Sequence, residues 1–319
     1  METIIIDGLS FGLPLFIMAI GGIYSERSGI INLAIEGLQG FGAFFGSLSI
    51  ILVGHFFDIP LQKLFYLALL LSMFGGMLFS TLHGLLCIKF KANQVISGVV
   101  INILSMALTI FLTTQINSIV FGAMSDKFRI GTSNRFTIEF LAKIPIVGAA
   151  FKNIYPFQVV ILIIAVFAAY VLNKTRFGLR LRACGDNPHS VDAAGVEVSR
   201  IQYLAVMISG ALSGLGGISF AYSISTNFSP AIYMGYGYLA IAALIFGNWK
   251  VLPTFGACLL FGFARSGGYY IAQLLKMPST FSDLIMILPY VLTLLLLIFF
   301  SKANHPPRAL GEIYDKGKR

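Results

Sequence analysis

About nine stretches of this chain, near 4–23, 30–53, 64–88, 93–120, 155–173, 202–224, 235–248, 251–275 and 283–301, are almost free of charged residues. About 20 helical residues cross a hydrocarbon layer of roughly 30 Å, and most of these stretches reach that length. Inside a bilayer no water satisfies the backbone, so each crossing must hydrogen-bond within itself, which makes helices the expected form. The composition agrees, with 57% hydrophobic and 11% charged residues against about 25% charged in soluble domains. The expectation is an all-α polytopic bundle over 1–319, a single transmembrane domain of about nine spans. Pro14 with Gly21-Gly22 in the first run, and the short Gly-rich run from Gly235 to Asn248, mark two helices expected to be broken or re-entrant.

Charge sets the expected sidedness. Arg27, Lys89, Lys91, Lys174, Arg176, Arg180, Arg182, Arg200, Lys250 and the tail 302–319 fall on one side of nine alternating spans, which the positive-inside bias makes the cytoplasm. The amino terminus and the link 121–154 then lie outside, and the loop 174–201 and the tail inside. The start, Met1-Glu2-Thr3, lacks a basic leader region and reads as a retained span. The net charge of +9 is spread over these links and forms no stripe, so a nucleic-acid partner is not expected. Cys87, Cys184 and Cys258 are widely spaced and read as free thiols, with neither a disulfide framework nor a metal site. His55, His83, His189 and His305 are scattered, with no catalytic constellation. No phosphate-cradling G-x-x-x-x-G-K-[ST] loop occurs.

The loop from Arg176 to Gly195 carries its own helix punctuation. Asn187 suits an N-cap and Pro188 the first helical position, and Gly195 suits the left-handed residue that ends a helix. His189, Ser190, Val191, Asp192, Ala193 and Ala194 complete about two turns. Composition alone leaves an ordinary solvated loop as an equal reading.

Polar residues within spans need a partner or water. Asn32, Glu36 and Gln39 follow i, i+4, i+7 spacing on the second run. Gly98, Asn102, Ser105 and Thr109 do so on the fourth, just beyond Asn93 and Gln94. These faces either line a polar path or bond one another, with Glu36 a structural anchor near the cytoplasmic end. Gly210, Ser213, Gly214 and Gly217 put small residues on one face, where another helix can approach closely. Arg265, midway along the eighth run, either meets Asp283, contacts a solute or snorkels outward past Tyr269 and Tyr270. Part of the outer link, the apolar Leu141–Gly148 stretch, is expected to dip toward the membrane.

The segment 182–196 (RACGDNPHSVDAAGV) resembles the coupling segment of ABC importer permeases of the branched-chain amino acid, simple-sugar and nucleoside superfamily. The stretches 24–37 (YSERSGIINLAIEG), 235–249 (GYGYLAIAALIFGNW) and 308–319 (RALGEIYDKGKR) agree, the first and last being most like the shorter permease of nucleoside importers. The resemblance implies a non-catalytic subunit in a bacterial inner membrane that binds no cofactor. It also implies a second related permease, a cytoplasmic ABC ATPase that holds the ATP and Mg, and an extracytoplasmic substrate-binding lipoprotein. Membrane lipid surrounds the assembly and also competes for Arg180 and Arg182. The residues Asn187 to Gly195 would seat in the ATPase. The solute would be a nucleoside first, a simple sugar or branched-chain amino acid next, with Tyr222, Tyr236, Tyr238, Phe41 and Phe45 offering flat faces to a base. An ion-coupled secondary transporter is the rival class. Its usual midplane acids are missing from this sequence, where Asp7, Asp58, Asp126, Glu139 and Asp283 fall at or beyond span ends.

Overall fold

The computed structural model describes residues 2–144, 147–233, 235–277, 287–300 and 304–316. Each apolar run forms a helix among them. Six helical segments are long and apolar enough to cross a membrane: Glu2–Arg27, Ile35–Phe57, Leu61–Lys89, Gln94–Phe121, Pro156–Lys174 and Val198–Ser225. The expected count of nine is therefore not reached on length and hydropathy alone, since the run at 235–248 makes a helix of only 11 residues.

Helix α1 (Glu2–Arg27) is apolar on every side and sits at the centre, buried from Gly8 almost to its end. Its sequence suggested a break at Pro14, yet the helix is continuous. In a bundle, neighbouring helices accommodate the lost backbone bond. Around it stand α2 (Ile35–Phe57), α3 (Phe65–Gly84, closed by a π-turn at Leu85–Lys89) and α4 (Gln94–Phe121). After the short α5 (Glu139–Ala142) come α6 (Pro156–Lys174), α7 (Arg176–Asp186) and α8 (Pro188–Ala193). Helix α9 (Val198–Phe220, with a π-turn at Ala221–Ser225) returns through the bundle, followed by α10 (Tyr236–Phe246), α11 (Val251–Leu274) and α12 (Leu288–Phe300).

The small-residue face of α9 is a packing seam. A Cβ on Gly214 would strike the Ser72 carbonyl oxygen of α3, and one on Gly217 the Gln39 carbonyl oxygen of α2. Without side chains between them, backbones approach to contact, which is how helices associate where hydrophobic driving force is absent.

The outer link folds onto the bundle. Strand β1 (Phe128–Arg129) pairs antiparallel with β2 (Asn227–Phe228), and Phe128 and Phe228 lie buried against Phe44 of α2. Asn117 holds the turn before β1 by donating to the Ser125 and Lys127 carbonyls at 2.7 and 3.0 Å. The segment that enters the core is at Phe128; the Leu141–Gly148 stretch overlaps only the end of the short α5 and lies partly outside the described residues.

At the opposite end, the tail is clasped to the loops. Ala309 N donates to Gly185 O at 2.8 Å, Gly311 N to Gly29 O at 3.0 Å, and His305 N to Asn248 Oδ1 at 2.8 Å. Lys91 pairs with Asp315 at 2.8 Å and Lys316 with Asp192 at 3.7 Å. These exposed pairs add little energy singly. Together with the backbone bonds they put the α1–α2 turn, the α3–α4 loop, α7–α8 and the tail on one face.

Candidate functional site: a polar junction at a half-length helix

Helix α10 has 11 residues, so it rises only about 15 Å from its end at Phe246, half the thickness of a bilayer core. Its first turn therefore presents unpaired N–H groups within the bundle. Glu36, in the first turn of α2, supplies the acceptors: Gly235 N donates to Oε1 at 2.5 Å and Gly237 N to Oε2 at 2.7 Å. Gln39 Nε2 donates to Oε2 at 3.2 Å. A carboxylate at a helix N-terminus satisfies donors and complements the dipole at once. Glu36 is thus a structural anchor between α2 and α10, as one sequence reading had it. Residues 28–34 form an irregular segment before α2 begins.

Asn102, eight residues into α4, faces the same junction. Its Oδ1 accepts from Gly37 N at 2.7 Å, and its Nδ2 donates to Leu33 O at 2.8 Å and to Tyr238 Oη at 3.0 Å. The start of α2 at Ala34 has no side-chain cap of its own, so an amide on another helix does the work. Ser105 Oγ donates to Gly37 O at 2.7 Å, and Thr109 Oγ1 donates back to Ser105 O. A cavity of about 300 Å³ opens here, lined by Glu36, Asn102, Ser105, Met106, Thr109, Pro230 and Tyr238 among others. Most polar groups on its wall are already bonded. Tyr238, 44% exposed, is the aromatic face it presents.

Tyr236 opens α10 and packs on Phe11 and Phe220, with ring centroids 5.1 and 4.9 Å away. Arg265 joins this cluster. Its guanidinium lies 4.4 Å from the Phe11 ring centroid and 5.3 Å from that of Tyr269, and it donates to Tyr236 Oη at 3.4 Å. A cation over aromatic faces is stabilised by the ring quadrupoles. Of the sequence readings for Arg265, Asp283 falls outside the described residues. Tyr269 is a ring beneath the cation and not merely a point it passes.

The other candidates lie elsewhere. Asn32 is in the turn before α2, so it does not share a helical face with Glu36 and Gln39; it donates to Ser209 Oγ of α9 at 2.8 Å. Asn93 caps α4, accepting from Val95 N and Ile96 N. Gln94 accepts from Ile31 N at 2.7 Å, tying α4 to the α1–α2 turn. Tyr222 is buried beside Phe65, with centroids 4.8 Å apart, remote from the cavity lining. Met106 and Pro230 were missed, since neither carries a polar signal.

In the loop, Asn187 Oδ1 accepts from Ser190 N at 3.1 Å, Pro188 takes the first helical position, and Gly195 has φ +78°. Val191 and Pro188 are buried against the chain itself, whereas His189, Ser190, Ala193 and Ala194 face outward. Helix α7 was not foreseen. Its signal was Thr175, whose Oγ1 accepts from Gly178 N at 3.2 Å as an N-cap. Burial pushes the Cys184 thiol on α7 up to about 11.

A bundle of long apolar helices with a short helix opening on a polar junction and an ordered helical loop on one face has the architecture of a multi-pass membrane protein. Residues 4–299 match the family described as branched-chain amino acid transport system / permease component, and the chain belongs to it. It is 36% identical to the guanosine ABC transporter permease protein NupQ of Bacillus subtilis, over all of this chain and 98% of that protein. It is 34% identical to the nucleoside ABC transporter permease protein NupC of Lactococcus lactis, again over 100% and 98%. A second Bacillus subtilis protein, guanosine ABC transporter permease protein NupP, is 25% identical over 95% of this chain and 82% of its own length.

Proposed function

We propose that this chain is one of two permease subunits of an ATP-driven nucleoside importer. The observation that carries the reading is its end-to-end similarity to permeases named for guanosine and nucleoside transport. That two guanosine permease proteins of one organism both resemble it supports a second, related permease as partner. The chain itself is non-catalytic and binds no cofactor; ATP and Mg belong to a cytoplasmic ATPase, and an extracytoplasmic lipoprotein delivers the solute. Residues Asn187 to Gly195 form the coupling segment on the cytoplasmic face, with the amino terminus outside.

The junction supports a neutral solute. Half-helix N-termini in transporters commonly hold anionic substrate groups. Here Glu36 occupies that position on α10, which disfavours the carboxylate of an amino acid. The exposed Tyr238 ring offers a stacking face for a base, and such stacking contributes about 1–3 kcal/mol.

The test is uptake of labelled guanosine, ribose and leucine by cells carrying the complete importer as their sole route. Guanosine is expected to accumulate, and Tyr238→Ala to lower its uptake roughly tenfold at unchanged abundance. Accumulation of leucine or ribose in its place would overturn the nucleoside reading.

A further inference from the structure

A second cavity lies away from the junction. It is a groove of about 600 Å³ between α6 and α11, floored by α1. Helices α1 and α6 run side by side in the same direction, as the bonds from Gln158 Nε2 to Ser10 Oγ and from Tyr24 Oη to Ala168 O require. Both carry the same gradient along the groove. On α1 it runs from Phe16 to Arg27, and on α6 from Leu162 to Asn173. Each interval is 11 residues, or about 16 Å, close to the depth of one leaflet of a roughly 30 Å core.

The upper walls are bare hydrocarbon, with Leu162 and Val166 at 42 and 70% exposed, while Leu252, 79% exposed, stands beside Lys250 at the start of α11. At the coupling-loop end stand Arg27, Arg182 and Lys250. Arg27 Nε donates to Trp249 O at 3.1 Å and Arg182 Nε to Gly178 O at 3.3 Å, which aims both heads without neutralising them. Among the described residues none of the three forms an ion pair, although Asp186 exerts a coulombic pull on Arg27. The nearby Glu26 carboxylate is buried and accepts from Trp249 Nε1 at 2.5 Å.

We propose that this groove binds one anionic phospholipid, its phosphate among Arg27, Arg182 and Lys250 and an acyl chain between α6 and α11. Basic pockets between membrane helices hold anionic headgroups. Charge complementarity selects the headgroup. The leaflet-deep apolar wall selects a lipid over a soluble anion, and it extends beyond the reach of a soluble subunit. The site would join α1, α6, α7 and α11 at the base of the coupling loop. The inference does not depend on which solute is carried.

Trp249 is the sole tryptophan and lines the groove, so it reports occupancy directly. The full chain is reconstituted in phosphatidylcholine vesicles containing acyl-brominated phosphatidylglycerol or, separately, equally brominated phosphatidylcholine. Phosphatidylglycerol is expected to quench Trp249 preferentially. Arg182→Gln with Lys250→Gln should lower that preference about 25-fold, at about fivefold per charge. The pair Arg182→Lys with Lys250→Arg should keep it, as should Arg200→Gln on the same face. Equal quenching by both lipids overturns the proposal, and so does equal loss in Arg200→Gln. Competition by soluble glycerol phosphate would show a simple anion site, and loss of quenching on adding the second permease would show a subunit interface; either result also overturns it.

Discussion

Replacing Asn102 with Ala should weaken the junction measurably, because one side chain holds a backbone donor of α2 and a backbone acceptor of the turn before it. Gly37 N is one of the initial donors of α2, and Ala34 offers no side chain to satisfy it. Losing an N-cap acceptor costs roughly 0.5–2 kcal/mol. Leu33 O, half-buried, loses its amide donor as well, and a fully buried orphaned acceptor would cost about 1–3 kcal/mol. Interhelical bonds in membranes average nearer 0.6 kcal/mol, because the unfolded state also finds partners, so the combined loss should fall to about 1.5–3 kcal/mol. Tyr238→Phe removes only the third bond and should cost under about 1.5 kcal/mol. The assay is unfolding of the purified chain in detergent, followed by the fluorescence of its single tryptophan. If Asn102→Ala proves no more destabilising than Tyr238→Phe, the cap supplied from α4 contributes nothing, and the account of the junction fails.

Gly214→Ala should sharply reduce folded protein, because its Cβ would meet the Ser72 carbonyl backbone. Gly256→Ala on α11 meets nothing within 4 Å and should be neutral or stabilising by up to about 1 kcal/mol; abundance and thermal stability of the two variants report the contrast. Cys184 should resist maleimide in the folded protein. With its thiol raised to about 11, about one molecule in a thousand carries thiolate at pH 8, and labelling should rise tenfold per pH unit toward 11. Prompt native labelling at pH 8 would contradict its burial. Val191→Asp should detach α8 from the bundle, losing roughly 2 kcal/mol of apolar burial before any penalty for the charge, whereas Ala194→Asp on the exposed side should leave stability intact. Protease sensitivity of the 176–195 loop would distinguish them.

Features set by neighbouring residues were legible in the sequence. Long apolar runs became helices because the bilayer leaves the backbone no alternative. The cap at Asn187, the start at Pro188 and the stop at Gly195 appeared where local chemistry put them. The Gly210–Gly217 face became a seam because small residues at helical spacing leave room for one thing, another backbone.

What escaped the sequence was always a matter of which distant residue answers which. Glu36 meets Gly235 and Gly237 across about 200 positions, and residues 28–34, which periodicity extrapolated as helix, are irregular. For the same reason Asn32 was placed on a face it does not share. Arg265 found aromatic rings from α1 and α10, and Val191 is buried against the chain itself. Helix formation and capping are decided within a few residues, by hydrogen bonds the local chain can make. Which polar group satisfies which, and which apolar face remains for lipid or a partner, is decided only when the helices pack, because burial makes every unpaired group seek an answer from whatever lies beside it.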